Sequence, residues 1–332
     1  MRTRRGPVLL CLVVVGAAFV LLFSWPQAVG AQTAPVIAQV LAFRPIFTVV
    51  CCVLTVCFVA VAVLRHRWGV AAVLAVVFGA VSLVNGGVLL NRGTHDDLPP
   101  GELTVVAWNT QGGAASPEAI ARLVIETDAD IVSLPETDTD AAARVVSIVA
   151  RDGKSMVADT IYGEASDSSI PTSLLVSAEL GGYRLDAAAG STPGLPSAVW
   201  LPSDGTGPTI VAAHPMPPLA GSMGTWRAGL EWVGARCHDA DVIVAGDLNA
   251  TADHLSAHLG DCEDAAIETR GAAIGTWPTS LPARLSSPID HVLVGDSWRV
   301  LGTRVLTTFD AAGSDHRPIV ATLAHRGTPR NH

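Results

Sequence analysis

No aspartate or glutamate precedes Asp96, although the 332-residue chain has 30 acidic residues. That absence excludes an ordinary soluble surface for the first 95 residues. Basic residues are scarce where the acids lie. From Gly93 on there are 14 Lys and Arg against 30 Asp and Glu, a net −16, and Lys154 is the single lysine; the first 92 residues carry +7. Long nucleic acid is gripped at its phosphates by Lys and Arg. The balance therefore argues against a protein that wraps DNA or RNA. It fits a small or surface-presented substrate, or one whose charge a metal neutralises. No cysteine pattern has zinc-ligand spacing, and there is no internal repeat, low-complexity tract, P-loop or Ser/His/Asp pattern.

The first part holds three apolar runs without an acid, at about 8–24, 45–64 and 69–90. The second and third have the ~20 residues a bilayer crossing needs. The first reads either as a third crossing or as a signal peptide cut near Val29-Gly30-Ala31. The continuing hydrophobic segments favour the crossing, and so a membrane helix bundle over 1–91. Arg2, Arg4 and Arg5 precede the first run, and Arg65, His66 and Arg67 fill the loop between the second and third. By the positive-inside rule both stay in the cytoplasm, which predicts a multi-pass cell-membrane protein with everything after Leu90 extracytoplasmic. Cys11, Cys51, Cys52 and Cys57 sit near or within the apolar runs as small apolar residues. Cys237 and Cys262 belong to the exported part, where two readings stay open: a disulfide, or two buried thiols.

A Gly- and Pro-containing linker at 92–101 leads into a domain over 102–324, with a tail at 325–332. V-I-V-A-G-D-L-N-A, Val242–Ala250, reads as a buried strand whose end carries Asp247 and Asn249, with Gly246 permitting a turn. The same event recurs. L-T-V-V-A-W-N ends in Asn109, A-D-I-V-S-L-P-E in Glu136 and T-I-V-A-A-H in His214. P-I-D-H-V-L-V contains Asp290, and Asp315 and His316 stand just ahead of a last strand ending at Leu323. Ser116 and Pro117 open a helix with Ile120, Leu123 and Val124 on its apolar face. Helices are also predicted over 139–150 and 226–237, and lesser strands over 173–177 and 198–201. The mixture lacks a strict βαβ rhythm, so an α/β fold with two packed sheets is expected.

One polar strand end is an ordinary turn former; six in order point to one site. The residues W-N-T-Q-G-G, L-P-E-T, A-A-H-P, G-D-L-N-A, I-D-H-V-L-V and G-S-D-H-R-P resemble, in this order, the endonuclease/exonuclease/phosphatase (DNase I-like) superfamily. The resemblance implies a four-layer α/β sandwich, two packed β-sheets flanked by helices, and a hydrolase that cleaves phosphate esters with a divalent metal, usually Mg²⁺, with Mn²⁺ as the other candidate. It implies Glu136, Asn109 and Asp315 on the metal side. Asp247 would orient or deprotonate water, Asn249 and His214 would bind phosphate, and His316 would stabilise developing charge with Asp290 as its partner. These roles suit the chemistry, since an anionic ester repels hydroxide until its oxygens are neutralised and water is aimed. Pro135, Pro215 and Pro288 depart from the family pattern without removing a catalytic side chain.

Three further features have plainer readings. His291 adjoins Asp290 but faces the other side of its strand and reads as structural. Trp277 reads either as a rim aromatic or as a core residue. Asp253, His254, His258 and Asp261 read as a solvated helix face and loop. The leading function is a membrane-anchored, extracytoplasmic phosphoesterase for lipid headgroups or small phosphoesters, of bacterial type. Its partners would be a phosphoester substrate and the lipid bilayer; nucleic acid is disfavoured by charge and no protein partner is implied. The alternatives are an extracellular nuclease and, in another class, an inert binding or scaffold module on the same fold. Substrate, mono- versus diesterase preference, metal number and oligomeric state are not legible.

Overall fold

A computed structural model describes residues 5–66, 69–163 and 170–327. Arg2, Arg4, Arg67 and tail residues 328–332 lie outside the described residues. The chain divides into two compact units, Met1–Arg92 and Gly93–His332.

The first unit is helical: α1 (Arg5–Ser24), α2 (Ile37–Ala42), α3 (Arg44–Leu64) and α4 (Val70–Arg92). Helices α3 and α4 are long and apolar enough to cross a membrane, whereas the described apolar part of α1, Val13–Ser24, is shorter. Helix α1 packs closely on α4: a Cβ at Gly16 would come within 2.6 Å of Val77 Cγ2. At the end of α1 a polar knot joins three helices. Asn85 Nδ2 donates to Phe23 O at 3.2 Å and to Ser24 Oγ at 3.1 Å. The buried Arg44 guanidinium donates to Asn85 Oδ1 and to Ser24 O. A polar group in an apolar surround must find such partners.

The second unit holds two six-stranded mixed sheets. Its strands are β1 (Leu103–Ala107), β2 (Ile131–Pro135), β3 (Met156–Ile161), β4 (Thr172–Ser177), β5 (Tyr183–Leu185) and β6 (Ala198–Pro202), then β7 (Thr209–Ala213), β8 (Val242–Asp247), β9 (Glu263–Asp264), β10 (Asp290–Val294), β11 (Trp298–Val305) and β12 (Ile319–His325). The first sheet runs β11-β12-β1-β2-β4-β3 and the second β5-β6-β7-β8-β10-β9. Each sheet has one parallel pair, β1 with β2 and β7 with β8. Parallel neighbours need a crossover. The crossovers are α5 (Pro117–Thr127) and α7 (Met223–Arg236), with α6 (Thr139–Arg151) following β2. Ser116 caps α5 by accepting from Ala119 N, and Asp138 caps α6 through Ala141 N.

Alternation along the strands builds the layers. Val105, Ala107 and Ile131 of the first sheet meet Ile210, Ala212, Ile243, Ala245 and Val292 of the second in one apolar core. The opposite face of the first sheet, Val106, Val132, Leu175 and Val320, packs on Ile120, Leu123, Val124, Val145 and Val149 of α5 and α6. In the second sheet, Val211, Val244 and Leu293 are equally buried, as are Trp226, Leu230 and Val233 of α7. Short helices α8 (Ala252–Leu255) and α9 (Ala265–Glu268) complete the unit. Cys237, at the end of α7, is joined to Cys262 by a disulfide, which resolves the two open readings of that pair.

The segment 93–101 is laid against the domain. His95 N donates to Arg270 O, Ala273 N to Gly93 O, and Glu102 N to Leu323 O. Several strands stop short of the expected polar residue: β1 at Ala107, β2 at Pro135 and β7 at Ala213. β10 starts at Asp290 and β12 at Ile319, each just after a Pro-containing stretch that lacks a ladder N–H.

Candidate active site

The carboxyl ends of the two parallel pairs open on the same edge of the sandwich. Asn109 continues the inward-facing alternation of Val105 and Ala107, and His214 and Asp247 continue those of Ile210/Ala212 and Ile243/Ala245. Glu136 breaks the rule. Val132 and Leu134 face the helices, so parity would send Glu136 there too. Its φ of 65° reverses the chain instead. The turn is held by Thr110 Oγ1 donating to Glu136 O at 3.0 Å and by Glu136 N donating to Pro171 O at 2.8 Å.

Asn109 is the joint between the sheets. Its Nδ2 donates to Glu136 Oε1 at 3.1 Å and to Asp247 Oδ2 at 3.0 Å, while its Oδ1 accepts from Gln111 N. Asp247 Oδ1 accepts from Asn249 N at 2.9 Å, closing a tight turn with Asn249 at φ 49°. Asn249 Nδ2 donates to Pro215 O at 3.0 Å, so its amide braces the loop after His214. Gly246 serves a different end from the expected turn. It lies within β8 at φ 154°, where a Cβ would stand 2.0 Å from Ala213 O. Only glycine lets β7 and β8 approach closely beside His214 and Asp247.

Asp290 lies directly opposite Asp247 across the antiparallel β8–β10 pair. His316 relieves the repulsion between them. Its Nδ1 donates to Asp290 Oδ2 at 2.8 Å, and its Nε2 is 3.8 Å from Asp247 Oδ2. Burial alone would lower the imidazole's pKa, but Asp290 and then Asp247 outweigh it and lift the group to about 9. Asp247 is pushed up to about 7, first by burial and then by Asp290. His214 is fully buried, its Nε2 3.9 Å from both Glu136 Oε1 and Asp247 Oδ2. Burial, and then the charge on His316, lower it to about 3. The pocket thus sets one charged histidine beside one neutral histidine, and a carboxyl group poised near neutrality. Such separation of like groups is how a site acquires distinct acid and base roles.

Asp247, Asp290 and His316 form a compact buried cluster of potential metal ligands. Within it His316 Nδ1 is already taken by Asp290 Oδ2, which leaves Nε2 as the ring atom facing the pocket. Glu136, whose side chain is 23% exposed, presents a hard carboxylate at the opening. Asp315 stands at the rim. Its Oδ2 accepts from Trp277 Nε1 at 2.8 Å, and its backbone N donates to Gln111 Oε1. All eight residues singled out by the sequence therefore border one edge, with Glu136, Asn249 and Asp315 part-exposed and the other five buried.

Sequence reasoning passed over two supports. Ser314 Oγ donates to Asn109 O at 2.6 Å and accepts from His316 N, and Trp108 Nε1 donates to His316 O. Both residues sit inside the quoted motifs, which was the available signal. His291 is structural as expected: buried, with Nδ1 at 2.7 Å from Asp264 Oδ2 and Nε2 at 2.8 Å from Ala250 O. The solvated reading of residues 253 and 254 fails. Asp253 and His254 are buried, because the short α8 tucks beneath α7 and sets the His254 ring edge-on to Trp226 at 5.2 Å. Asp261 is exposed, beside His238. Trp277 is half-buried at the rim, its ring 6.3 Å from that of His316.

Two mixed sheets packed face to face and flanked by helices, with polar residues gathered at the strand ends, are the architecture of the DNase I-like class. The profile of the Endonuclease/Exonuclease/phosphatase family matches residues 106–316, and the chain belongs to that family. Among solved structures, an endonuclease/exonuclease/phosphatase from Beutenbergia cavernae DSM 12333 is 19% identical. The match covers 69% of this chain and 72% of that one, with a TM-score of 0.51. A conserved protein of unknown function from Enterococcus faecalis V583 is 16% identical, covering 68% of this chain and all of its own, with a TM-score of 0.51. A humanized D. rerio TDP2 is 14% identical, covering 67% of this chain and 98% of its own, with a TM-score of 0.50. At such identities the likeness is one of fold. No curated protein matches the sequence.

Proposed function

We propose that the chain is a membrane-anchored, extracytoplasmic, metal-dependent phosphoesterase acting on a lipid headgroup or another small phosphoester. The observation that carries the reading is the convergence in one pocket of Asp247, Asp290 and His316, with His316 Nδ1 on Asp290 Oδ2 at 2.8 Å and Nε2 3.8 Å from Asp247 Oδ2, beside the Glu136 carboxylate at the opening.

The donor set fits a hard divalent cation. Glu136 supplies a carboxylate at the opening and Asp315 a second at the rim, while the Asn109 NH₂ steadies Glu136 and Asp247 by donating to both. Buried Asp290 Oδ1 and His214 Nδ1 lack partners among the described residues, so the site's polar capacity exceeds its internal bonding. Glu136 and Asp315 would hold Mg²⁺ or Mn²⁺, which when bound would neutralise phosphate oxygens; Asn109, expected among the ligands, has its Oδ1 taken by Gln111 N and instead orients the Glu136 carboxylate through Nδ2. The chain's own groups do the rest. Asp247 accepts a proton from the attacking water. Asn109 fixes the Asp247 carboxylate by donating to Oδ2, and the Asn249 backbone fixes Oδ1. His316 offers Nε2–H to the phosphoryl oxygens, kept protonated by Asp290. Neutral His214 adds a second donor from a water-poor wall.

The anchor rests on α3 and α4 and on the hydrogen bonds from Asn85 and Arg44 to the end of α1, which favour α1 staying with the bundle. The disulfide in the second unit suits an oxidising compartment. The net −16 from Gly93 on favours small phosphoesters over long nucleic acid.

The test is hydrolysis by the purified full-length chain, with Mg²⁺ or Mn²⁺, of a monoester, a diester, phospholipids, DNA and RNA, beside Asp247→Ala. Release of phosphate or headgroup that Asp247→Ala abolishes is expected. Rapid cutting of DNA with small esters ignored would make the chain a nuclease. Activity surviving Asp247→Ala would sink the mechanism.

A further inference from the structure

Arg317 follows His316 directly, yet nothing in the proposed chemistry uses it. Its side chain is 1% exposed, and a guanidinium so buried must satisfy its fork of five N–H groups. Nε and Nη2 grip Asp310 at 2.7 and 2.9 Å. The rest of the fork enters the loop between Thr276 and Ser287. Nη1 donates to Pro278 O at 3.3 Å and Ser286 Oγ at 3.0 Å, and Nη2 donates to Thr279 O at 3.1 Å and Leu281 O at 2.7 Å. The loop's base is closed by the Trp277–Ser287 bridge. It is also stitched to the His316 segment on both sides, by Thr279 N to Asp315 O and by Arg317 N to Thr276 O. This loop carries Trp277, whose indole donates to Asp315 and whose half-buried ring borders His316. The loop has almost no apolar core of its own, so one buried cation serves as its centre.

We propose that Arg317 is a positioning residue. It sets the Thr276–Ser287 loop so that Trp277 forms a fixed wall for an aromatic or apolar organic group of the phosphoester. This rests on the phosphoesterase reading of the pocket. Lysine cannot replace the fork, because an ammonium has three donors and no planar geometry. The loop also contains exposed Arg284, a tryptic site that reports its order.

The experiment uses the full-length chain in detergent, as wild type, Arg317→Gln, Asp310→Asn and Trp277→Leu. Asp310→Asn weakens the same anchor from its more exposed side, which guards against misfolding of Arg317→Gln. Trypsin cleavage after Arg284 is followed by mass spectrometry, and kinetics use p-nitrophenyl phosphate and glycerol 2-phosphate with Mg²⁺. Arg317→Gln and Asp310→Asn are expected to speed cleavage after Arg284. All three variants should raise KM for the aryl ester about tenfold, with kcat and the glycerol ester's KM changed less than about threefold. Trp277→Leu should do so without added cleavage. Protection of Arg284 in both anchor variants would overturn the loop role. A fall in kcat for both esters at unchanged KM would overturn the wall. A wild-type protein inactive on both esters, on bis(p-nitrophenyl) phosphate and on phospholipids would remove the phosphoesterase reading and the wall with it, while proteolysis still decides the loop role.

Discussion

Asp247 and Asp290 stand opposite each other in register across β8 and β10, and the imidazole of His316 is what allows two carboxyl groups to share that space. Removing any one of the three changes the charge state of the others. The first two expectations follow from this coupling.

The pH–rate profile should be bell-shaped. On the proposed mechanism Asp247, raised to about 7 by the metal-free pocket, loses its proton to act as base, so kcat/KM climbs at or below that range, lower as a bound cation favours the carboxylate. His316, raised to about 9, must keep its proton, so the rate falls beyond it. Asp290→Asn removes the main favourable partner of His316. The alkaline limb should then move to lower pH, with kcat reduced roughly 10²–10⁴-fold. A profile with an unmoved alkaline limb would assign that limb to another group.

Asp247→Asn should be inactive and yet more stable. A carboxyl group whose folded pKa is raised disfavours the folded state once pH exceeds its unfolded value near 3.9. The penalty grows until pH passes the folded value of about 7. At pH 8 the amide variant should gain on the order of a few kcal/mol over wild type. At pH 3 the two should be nearly equal. Urea melts at both pH values, with chelator present, check this.

His291 and Asp264 form a buried ion pair behind the site. For Asp264, burial acts to raise its pKa, but the His291 charge and hydrogen bonds prevail and hold it below the usual value. For His291, burial acts to lower, and Asp264 prevails to raise it. The acid's contribution is full above about pH 4 and is lost as pH falls through its folded value. The histidine's contribution is full below about pH 6.5 and is lost as pH rises through its folded value. Asp264→Asn should therefore cost most, about 3 kcal/mol, between these limits. A thermal-melt series over pH 3–9 on wild type and variant measures the window.

The Cys237–Cys262 link closes a separation of 25 residues. Reducing it should lower stability by about 3 kcal/mol through the freed unfolded chain. Equal denaturation midpoints with and without reductant would show that the link adds nothing.

Much of the site was legible because alternation along a strand and the polarity of its last residue are both local. Asn109, His214, Asp247 and Asp290 simply extend the inward face. Glu136 was legible as a residue but not in direction, because its left-handed turn depends on Thr110 and Pro171, far apart in sequence. Strands β3, β5 and β11 escaped for another reason. They lie at or near sheet edges, where many side chains are part-exposed and the period-2 signal fades. Gly246 was seen, but its purpose was set by Ala213 on a neighbouring strand, which no local pattern records. His254 misled because residue type alone does not say that a four-residue helix lies under a longer one.

The amide of Asn109 reaches from one sheet's carboxylate to the other's. No single sheet owns a complete set of reacting groups. A partly folded chain, with one sheet formed and the other still searching, therefore has nothing to hydrolyse with. Catalytic competence arrives with the last docking event, and enzyme activity becomes a readout of whether the sandwich has closed.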